Sequence, residues 1–348
     1  MMIKRYFAVM LLTLIILSPF CVEAEEGFSL PHKELIFPVG DLTSPHAPCI
    51  VELPDGELFA VWYALGPEGP VSAIWGSRKS RDAKEWSKPS LVNYSPGRSN
   101  KNPVLYFDKE RGTLLLFWAE ERRWHKWKRD MLRFKISKDL GRTWDDARDV
   151  SNKFRGFLSR NHPLKLDDGR LLLPIYTDWN TSSAVIISKD GGLTWDGPRY
   201  ILYLFGTQPT IIQRSDKSLF TLMRTGMPPR LAWQAVSRND GYDWTEQRTS
   251  RVDNPGASLE MVKLKNGHIA LAFNDSKTTR SEISLAISSD DGKTWSRGRM
   301  IDCRPQNSNC YPSIIQTEDG LIHVVYVYDG RSGIAHFVTN EEWIRGDI

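Results

Sequence analysis

Polar side chains, two histidines and a tyrosine able to move protons among them, recur at or just before prolines along this chain. Asn102 precedes Pro103, His162 precedes Pro163, Gln208 precedes Pro209 and Tyr311 precedes Pro312, while His46 stands two residues before Pro48. Apolar residues follow each proline. A polar ring carried on apolar strands is what a solvated funnel mouth needs. Set beside arginines, His46, His162 and Tyr311 suit β-elimination of a uronate: Arg neutralises the carboxylate, and His or Tyr abstracts the C5 proton. A second cluster, Glu120-Glu121-Arg122-Arg123-Trp124-His125-Lys126-Trp127-Lys128-Arg129, interleaves cations with indoles. Trp124 and Trp127 can stack on sugar faces while the cations meet acidic groups. Trp179 stands in the matching loop of the next repeat and can join that platform.

These residues are spread over more than 260 positions, so a repetitive scaffold must gather them. Four segments share one pattern: Ser137-Lys-Asp139-Leu-Gly141-Arg-Thr143-Trp144, Ser188-Lys-Asp190-Gly-Gly192-Leu-Thr194-Trp195, the looser Ser237-Arg-Asn239-Asp-Gly241-Tyr-Asp243-Trp244, and Ser288-Ser-Asp290-Asp-Gly292-Lys-Thr294-Trp295. Their starts lie 51, 49 and 51 residues apart. A degenerate copy ends at Trp86. Each follows a strand-like run and carries turn chemistry, in which Asp bonds the local backbone and Gly accepts φ > 0. The aspartates are therefore expected to be structural. A second repeat runs in register with the first. Strands begin near Pro48, Pro103, Pro163, Pro209, Ser258 and Pro312, and each meets a turn such as Asp55-Gly56 or Asp319-Gly320 before an apolar strand. Six such units over residues 25–348 predict an all-β fold: a six-bladed β-propeller with four-stranded antiparallel blades, in which radial repetition protects the sheet edges. A β-sandwich would not need six in-register units.

Composition agrees with a folded domain and narrows the partners. The 348 residues are 41% hydrophobic and 25% charged, with a net charge of +4. This excludes a disordered or collagenous chain and a multi-span membrane protein. Lys and Arg are scattered, which argues against a nucleic-acid partner. Lys4-Arg5, the apolar run 6–17 and Val22-Glu23-Ala24 have the three parts of a secretory signal. Residues 1–24 are accordingly set apart from a single domain over 25–348, and the protein is expected to be secreted or periplasmic, without stable membrane insertion, and monomeric. In an oxidising compartment Cys303 and Cys310 are expected to pair across their short loop, with Cys49–Cys310 as the other option. No Cys-x-x-Cys or His/Cys spacing suggests a metal, and no cofactor is required.

The Ser-x-Asp-x-Gly-x-Thr-Trp segments resemble the Asp boxes of the sialidase (neuraminidase) superfamily and of BNR-repeat proteins, and the resemblance spans the whole of 25–348. It implies a constellation: three arginines on the substrate carboxylate, a Tyr nucleophile activated by a Glu, and an acidic acid/base. A neutral Tyr suits an anomeric carbon that already bears a carboxylate, and Arg gives bidentate carboxylate recognition. By this resemblance Tyr311 is the nucleophile, Arg224 (Leu222-Met223-Arg224-Thr225) and Arg280 hold the carboxylate, and Glu68 (Leu65-Gly66-Pro67-Glu68-Gly69) is the acid/base. Two positions depart from the pattern. His46-Ala47-Pro48 stands where the family has Arg-Ile-Pro, so His46 would assist the clamp only when protonated. Gln208 falls near the Glu expected to activate the Tyr, and Glu260 (Ser258-Leu259-Glu260-Met261) is the substitute. Gln208, His162, Asn102, Trp124 and Trp179 complete the expected substrate contacts. The resemblance implies an exported exo-glycoside hydrolase removing a terminal acidic sugar, sialic acid or related, from a glycan or acidic oligosaccharide. A uronate polysaccharide lyase and a non-catalytic glycan-binding propeller are the alternatives.

Overall fold

A computed structural model describes residues 30–122, 130–152, 155–305 and 308–347. The signal-like segment 1–24 and Trp124 and Trp127 lie outside these residues.

The strands form six antiparallel sheets arranged as a six-bladed propeller, in which most strands are hydrogen-bonded to the next in sequence. Blade 1 runs His46–Glu52, Leu58–Leu65, Ser72–Lys79 and Ser90–Asn93, and the other blades repeat this order. Blade 6 comprises Cys310–Gln316, Ile322–Tyr328 and Gly333–Thr339, and its outermost strand is supplied by the chain start, His32–Leu35. First and last segments thus share a sheet, which closes the ring and leaves no open seam. Glu34 secures that closure. Its carboxylate accepts hydrogen bonds from Lys79 Nζ (2.7 Å), Trp86 Nε1 (3.0 Å) and His336 Nδ1 (2.9 Å), joining blades 1 and 6. Inner strands alternate toward apolar layers shared between neighbouring blades, for example Phe220, Leu222 and Val236 of blade 4 against Leu271 and Phe273 of blade 5.

The Ser-x-Asp-x-Gly segments form the turns after the third strands. Asp290 is typical. It accepts from Ser288 Oγ (2.8 Å), Thr294 N (2.8 Å) and Thr294 Oγ1 (2.6 Å), while Gly292 N bonds Ser288 Oγ (2.8 Å). The Asp thus satisfies the turn's own donors. Gly292 needs its glycine: φ is +80°, and a Cβ there would meet the Phe220 ring at 2.7 Å. Trp195 and Trp244 each donate their indole N–H back to the turn glycine's carbonyl at 3.1 Å.

The innermost strands depart from regularity in a way that shapes the site. In blades 1, 2, 4 and 6 the first strand carries a register shift at its start, between His46 and Cys49, Lys101 and Val104, Thr207 and Thr210, and Cys310 and Ser313. In each, the residue before proline is left-handed: Ala47 (φ 50°), Asn102 (49°), Gln208 (52°) and Tyr311 (57°). Proline disfavours the helical region for its predecessor, and an L-residue at positive φ is strained. The same strained kink in four blades turns Asn102, Gln208 and Tyr311 toward the axis. Ala47 shows that His46, one residue earlier, is displaced from this position. Blades 3 and 5 lack the kink, so the ring is not six equivalent positions.

Candidate active site

In blade 3 the inner strand is broken into Leu158–Ser159 and Leu164–Lys165. The intervening Arg160-Asn161-His162 enters the axis and stitches the ring together. Arg160 Nη2 donates to the carbonyls of Tyr311 (2.7 Å) and Pro312 (3.0 Å) in blade 6. Asn161 Nδ2 reaches the carbonyls of Gln208, Pro209 and Leu259 in blades 4 and 5, at 3.1–3.2 Å. His162 N and Nδ1 meet Glu260 Oε1 (2.8 and 2.9 Å), and His162 Nε2 lies 2.9 Å from the carbonyl of Ile50 in blade 1. Glu260 Oε2 accepts from Ile314 N at 3.0 Å. Kinked strands leave carbonyls without ladder partners, and these side chains supply the missing donors.

This corrects the expected role of two residues. Glu260 does not face the Tyr311 hydroxyl. Both of its oxygens are committed, and with His162 it lines a separate cavity of about 510 Å³ at the other end of the inner strands, beside Glu52, Gln213 and Gln316. Burial opposes charge on both partners. The mutual attraction wins: Glu260 is held below the usual carboxylate range, and His162, flanked by Cys49 and Glu260, well above the usual imidazole range. The two form a buried ion pair.

The candidate active site is a pit of about 730 Å³ at the kinked end. His46, Asn102, Gln208 and Tyr311 come to it from four blades, as the prolines suggested, together with Arg224 and Trp179. The Tyr311 hydroxyl accepts a hydrogen bond from Arg224 Nη1 at 2.8 Å. Arg224 Nη1 also reaches Gln208 Oε1 (3.2 Å), Gln208 Nε2 bonds the Tyr176 hydroxyl (3.3 Å), and Asn102 Nδ2 bonds the same hydroxyl (2.8 Å). One chain of hydrogen bonds therefore runs Tyr311–Arg224–Gln208–Tyr176–Asn102. Arg160 lies beneath, its guanidinium 5.5 Å from the Tyr311 ring centroid.

His46 packs against Tyr311 with ring centroids 4.2 Å apart. It is 4% exposed, and its Nδ1 has no hydrogen-bond partner among the described residues. Burial, then Arg331, Arg160, Arg280 and Arg224, push its pKa well below the ordinary value. His46 is therefore neutral, which corrects the expectation that it adds positive charge to a carboxylate clamp.

Two other expected residues stand away from the pit lining. Glu68 is exposed on its loop, where the Tyr94 hydroxyl approaches it at 3.4 Å. Arg280 donates to the Gly256 carbonyl, although its charge still acts on His46 and Cys310. Cys49, Cys303 and Cys310 are free thiols, so neither expected disulfide forms. Polar lining residues that sequence reasoning missed are Tyr63, Lys101, Tyr176, Asp178 and Arg331. Asp178 is the only carboxylate among the described lining residues. Desolvation at the wall raises its pKa against the pull of Arg224 and Lys101. Arg331 sits in the Asp329-Gly330-Arg331-Ser332-Gly333 turn, a polar loop that reads as unremarkable in sequence.

The closed propeller thus brings guanidinium, phenol, imidazole and carboxyl groups into one pit. Residues 56–324 match the model of the BNR repeat-like domain, and the chain belongs to that family, within the sialidase/BNR-repeat superfamily. It is 27% identical over 220 residues to a sialidase of Bacteroides fragilis (strain YCH46), covering 58% of this chain and 39% of that protein. It is 25% identical over 199 residues to human Sialidase-3, covering 47% of this chain and 46% of that one. The chain thus spans less than half the length of these curated relatives. Among solved structures it resembles the Hadza microbial sialidase Hz136, with a TM-score of 0.77 at 18% identity over 90% of this chain and 69% of the other.

Proposed function

We propose that this protein is an exported glycoside hydrolase that removes a terminal acidic sugar, of the sialic-acid kind, from a glycan. The observation that carries this reading is the Tyr311 hydroxyl held 2.8 Å from Arg224 in a pit that also presents Arg331 and Lys101. A substrate carboxylate is drawn to these cations. Tyr311 attacks the anomeric carbon, and Arg224 stabilises charge building on the phenolic oxygen. With Gln208 unable to take a proton and Glu260 paired elsewhere, neutral His46 is the group suited to receive the phenol proton. In this reading Asp178, a pit-lining carboxyl whose pKa is raised, protonates the leaving oxygen in place of the exposed Glu68. A bound carboxylate would also strengthen His46 as a base, because a nearby anion raises an imidazole's pKa.

The test is release of 4-methylumbelliferone from its sialoside and its glucuronide by the wild type and by Tyr311→Phe. Release by the wild type and loss in the variant support the reading. No turnover of either, or an unsaturated product absorbing in the ultraviolet, overturns it.

A further inference from the structure

Beside the pit, on the blade 3–4 side, four large apolar side chains stand in solvent. Trp179, Tyr203, Leu204 and Phe205 are between 44% and 59% exposed. Trp179 belongs to the loop between the second and third strands of blade 3 and itself lines the pit. The other three form the connection from blade 3 to blade 4, which ends two residues before Gln208.

The two loops brace each other. Gly206 N donates to Thr181 O (3.2 Å), Phe205 N to Thr181 Oγ1 (3.2 Å), Leu204 N to Ser182 Oγ (3.4 Å), and Ser183 Oγ to Gly206 O (2.9 Å). Thr181, Leu204 and Phe205 are all left-handed, at φ 52°, 61° and 84°. Such residues are strained and persist only where surrounding bonds hold them. Tyr203 stacks on Tyr200 with centroids 4.1 Å apart, and Phe205 on Trp233 at 6.0 Å. The rings are thus fixed in place, and a strained backbone keeps apolar surface in water instead of folding it away.

We infer that this ledge is a second carbohydrate subsite, which takes the sugar residue on the far side of the scissile bond. The inference rests on the proposed function and narrows it to substrates longer than one sugar. Continuity decides the occupant. Trp179 is shared by the pit and the ledge, so a glycan whose terminal acidic sugar fills the pit can leave over the rim onto these rings. The C–H face of a pyranose covers an aromatic ring and removes it from water without burying hydroxyls. The ledge contributes apolar contact while the pit supplies charge, so the two recognise different parts of one chain.

The experiment compares 3′-sialyllactose with methyl α-sialoside, using the wild type, Phe205→Ala and Tyr203→Ala. The account expects each substitution to raise KM for the trisaccharide about fivefold to tenfold and to leave kcat/KM for the methyl glycoside within twofold. Saturation-transfer NMR gives a readout that needs no turnover: lactose protons receive saturation from the wild type and lose it in Phe205→Ala. Equal effects on both substrates, or none, overturn the ledge while leaving the proposed function standing. Absence of both turnover and binding of either sialoside by the wild type overturns the proposed function, and lactose saturation that Phe205→Ala leaves unchanged then overturns the ledge as well. Sedimentation with phosphatidylcholine vesicles that Phe205→Ala abolishes would assign the surface to lipid and also overturn the inference.

Discussion

Arg224 and Tyr311 come from different blades, 87 residues apart, yet Arg224 Nη1 lies 2.8 Å from the Tyr311 hydroxyl. Tyr311 is held at both ends. Its hydroxyl meets Arg224, and its left-handed backbone is anchored through its carbonyl by the buried Arg160. Two guanidinium groups from blades 3 and 4 thereby set the position and the electrostatic surroundings of one phenol in blade 6.

Arg224→Lys is expected to lower kcat/KM for an acidic glycoside by roughly tenfold to a hundredfold. A single ammonium cannot serve both Tyr311 and Gln208 as the planar fork does, and hydrogen bonds involving charged groups are worth about 1.5–3 kcal/mol. Steady-state kinetics with a fluorogenic substrate reads this directly, and an unchanged kcat/KM would remove Arg224 from the machinery.

Glu260→Gln is expected to destabilise the propeller by about 3 kcal/mol, because it leaves His162 buried without its counter-charge. The pH dependence has two limbs. Glu260 is depressed below the ordinary glutamate value of 4.5, so its contribution is present above that pH and fades as acid protonates it. His162 is raised above 6.5, so its contribution is present below that pH and fades as pH climbs through the folded pKa. Denaturant melts of the wild type should therefore show greatest stability from this pair between these pH values, and Glu260→Gln should flatten both limbs. A variant with full stability and a selective loss of turnover would instead restore Glu260 to catalysis.

His46 is expected to stay neutral in the free protein as pH falls from 8 through the ordinary imidazole value of 6.5, since burial and four arginines oppose its charge. The imidazole carbon shift in a spectrum of the labelled protein should not move over that range. A midpoint near 6.5 would contradict this environment.

Asp290→Ala is expected to cost about 2 kcal/mol in thermal or denaturant unfolding and to leave activity within twofold. It removes the acceptor for four donors, Ser288 Oγ, Lys293 N, Thr294 N and Thr294 Oγ1, in a turn at the end of a third strand, away from the pit. Although partial burial opposes it, Thr294 and Ser288 hold the Asp290 carboxyl down at about 2, so this stabilisation is lost only in strong acid.

The propeller was legible because its signals are local. Asp, Gly and Trp at fixed offsets specify the same turn wherever they occur, and four such turns near 50-residue spacing leave little freedom in the fold. The pit was legible in part for a similar reason: the residue before proline marks the start of each inner strand. What the spacing does not carry is the direction each one takes. Tyr311 and Gln208 turn toward the pit because their strands are kinked and left-handed, whereas Glu260, on an unkinked strand, and His162, on a broken one, face the other end. That choice depends on carbonyls of other blades that accept from Arg160 and Asn161, whose partners are about 50 to 150 residues away. Asp178 and Arg331 stand in loops whose composition is ordinary, and only the closed ring brings them to Tyr311.

The most direct test of Tyr311 as nucleophile is mass spectrometry of the protein quenched in acid after reaction with a fluorinated sialosyl fluoride, whose intermediate breaks down slowly. The account predicts one added sugar on the peptide containing Tyr311, absent in Tyr311→Phe. A sugar carried on any other residue, or rapid turnover with Tyr311 unmodified, would contradict it.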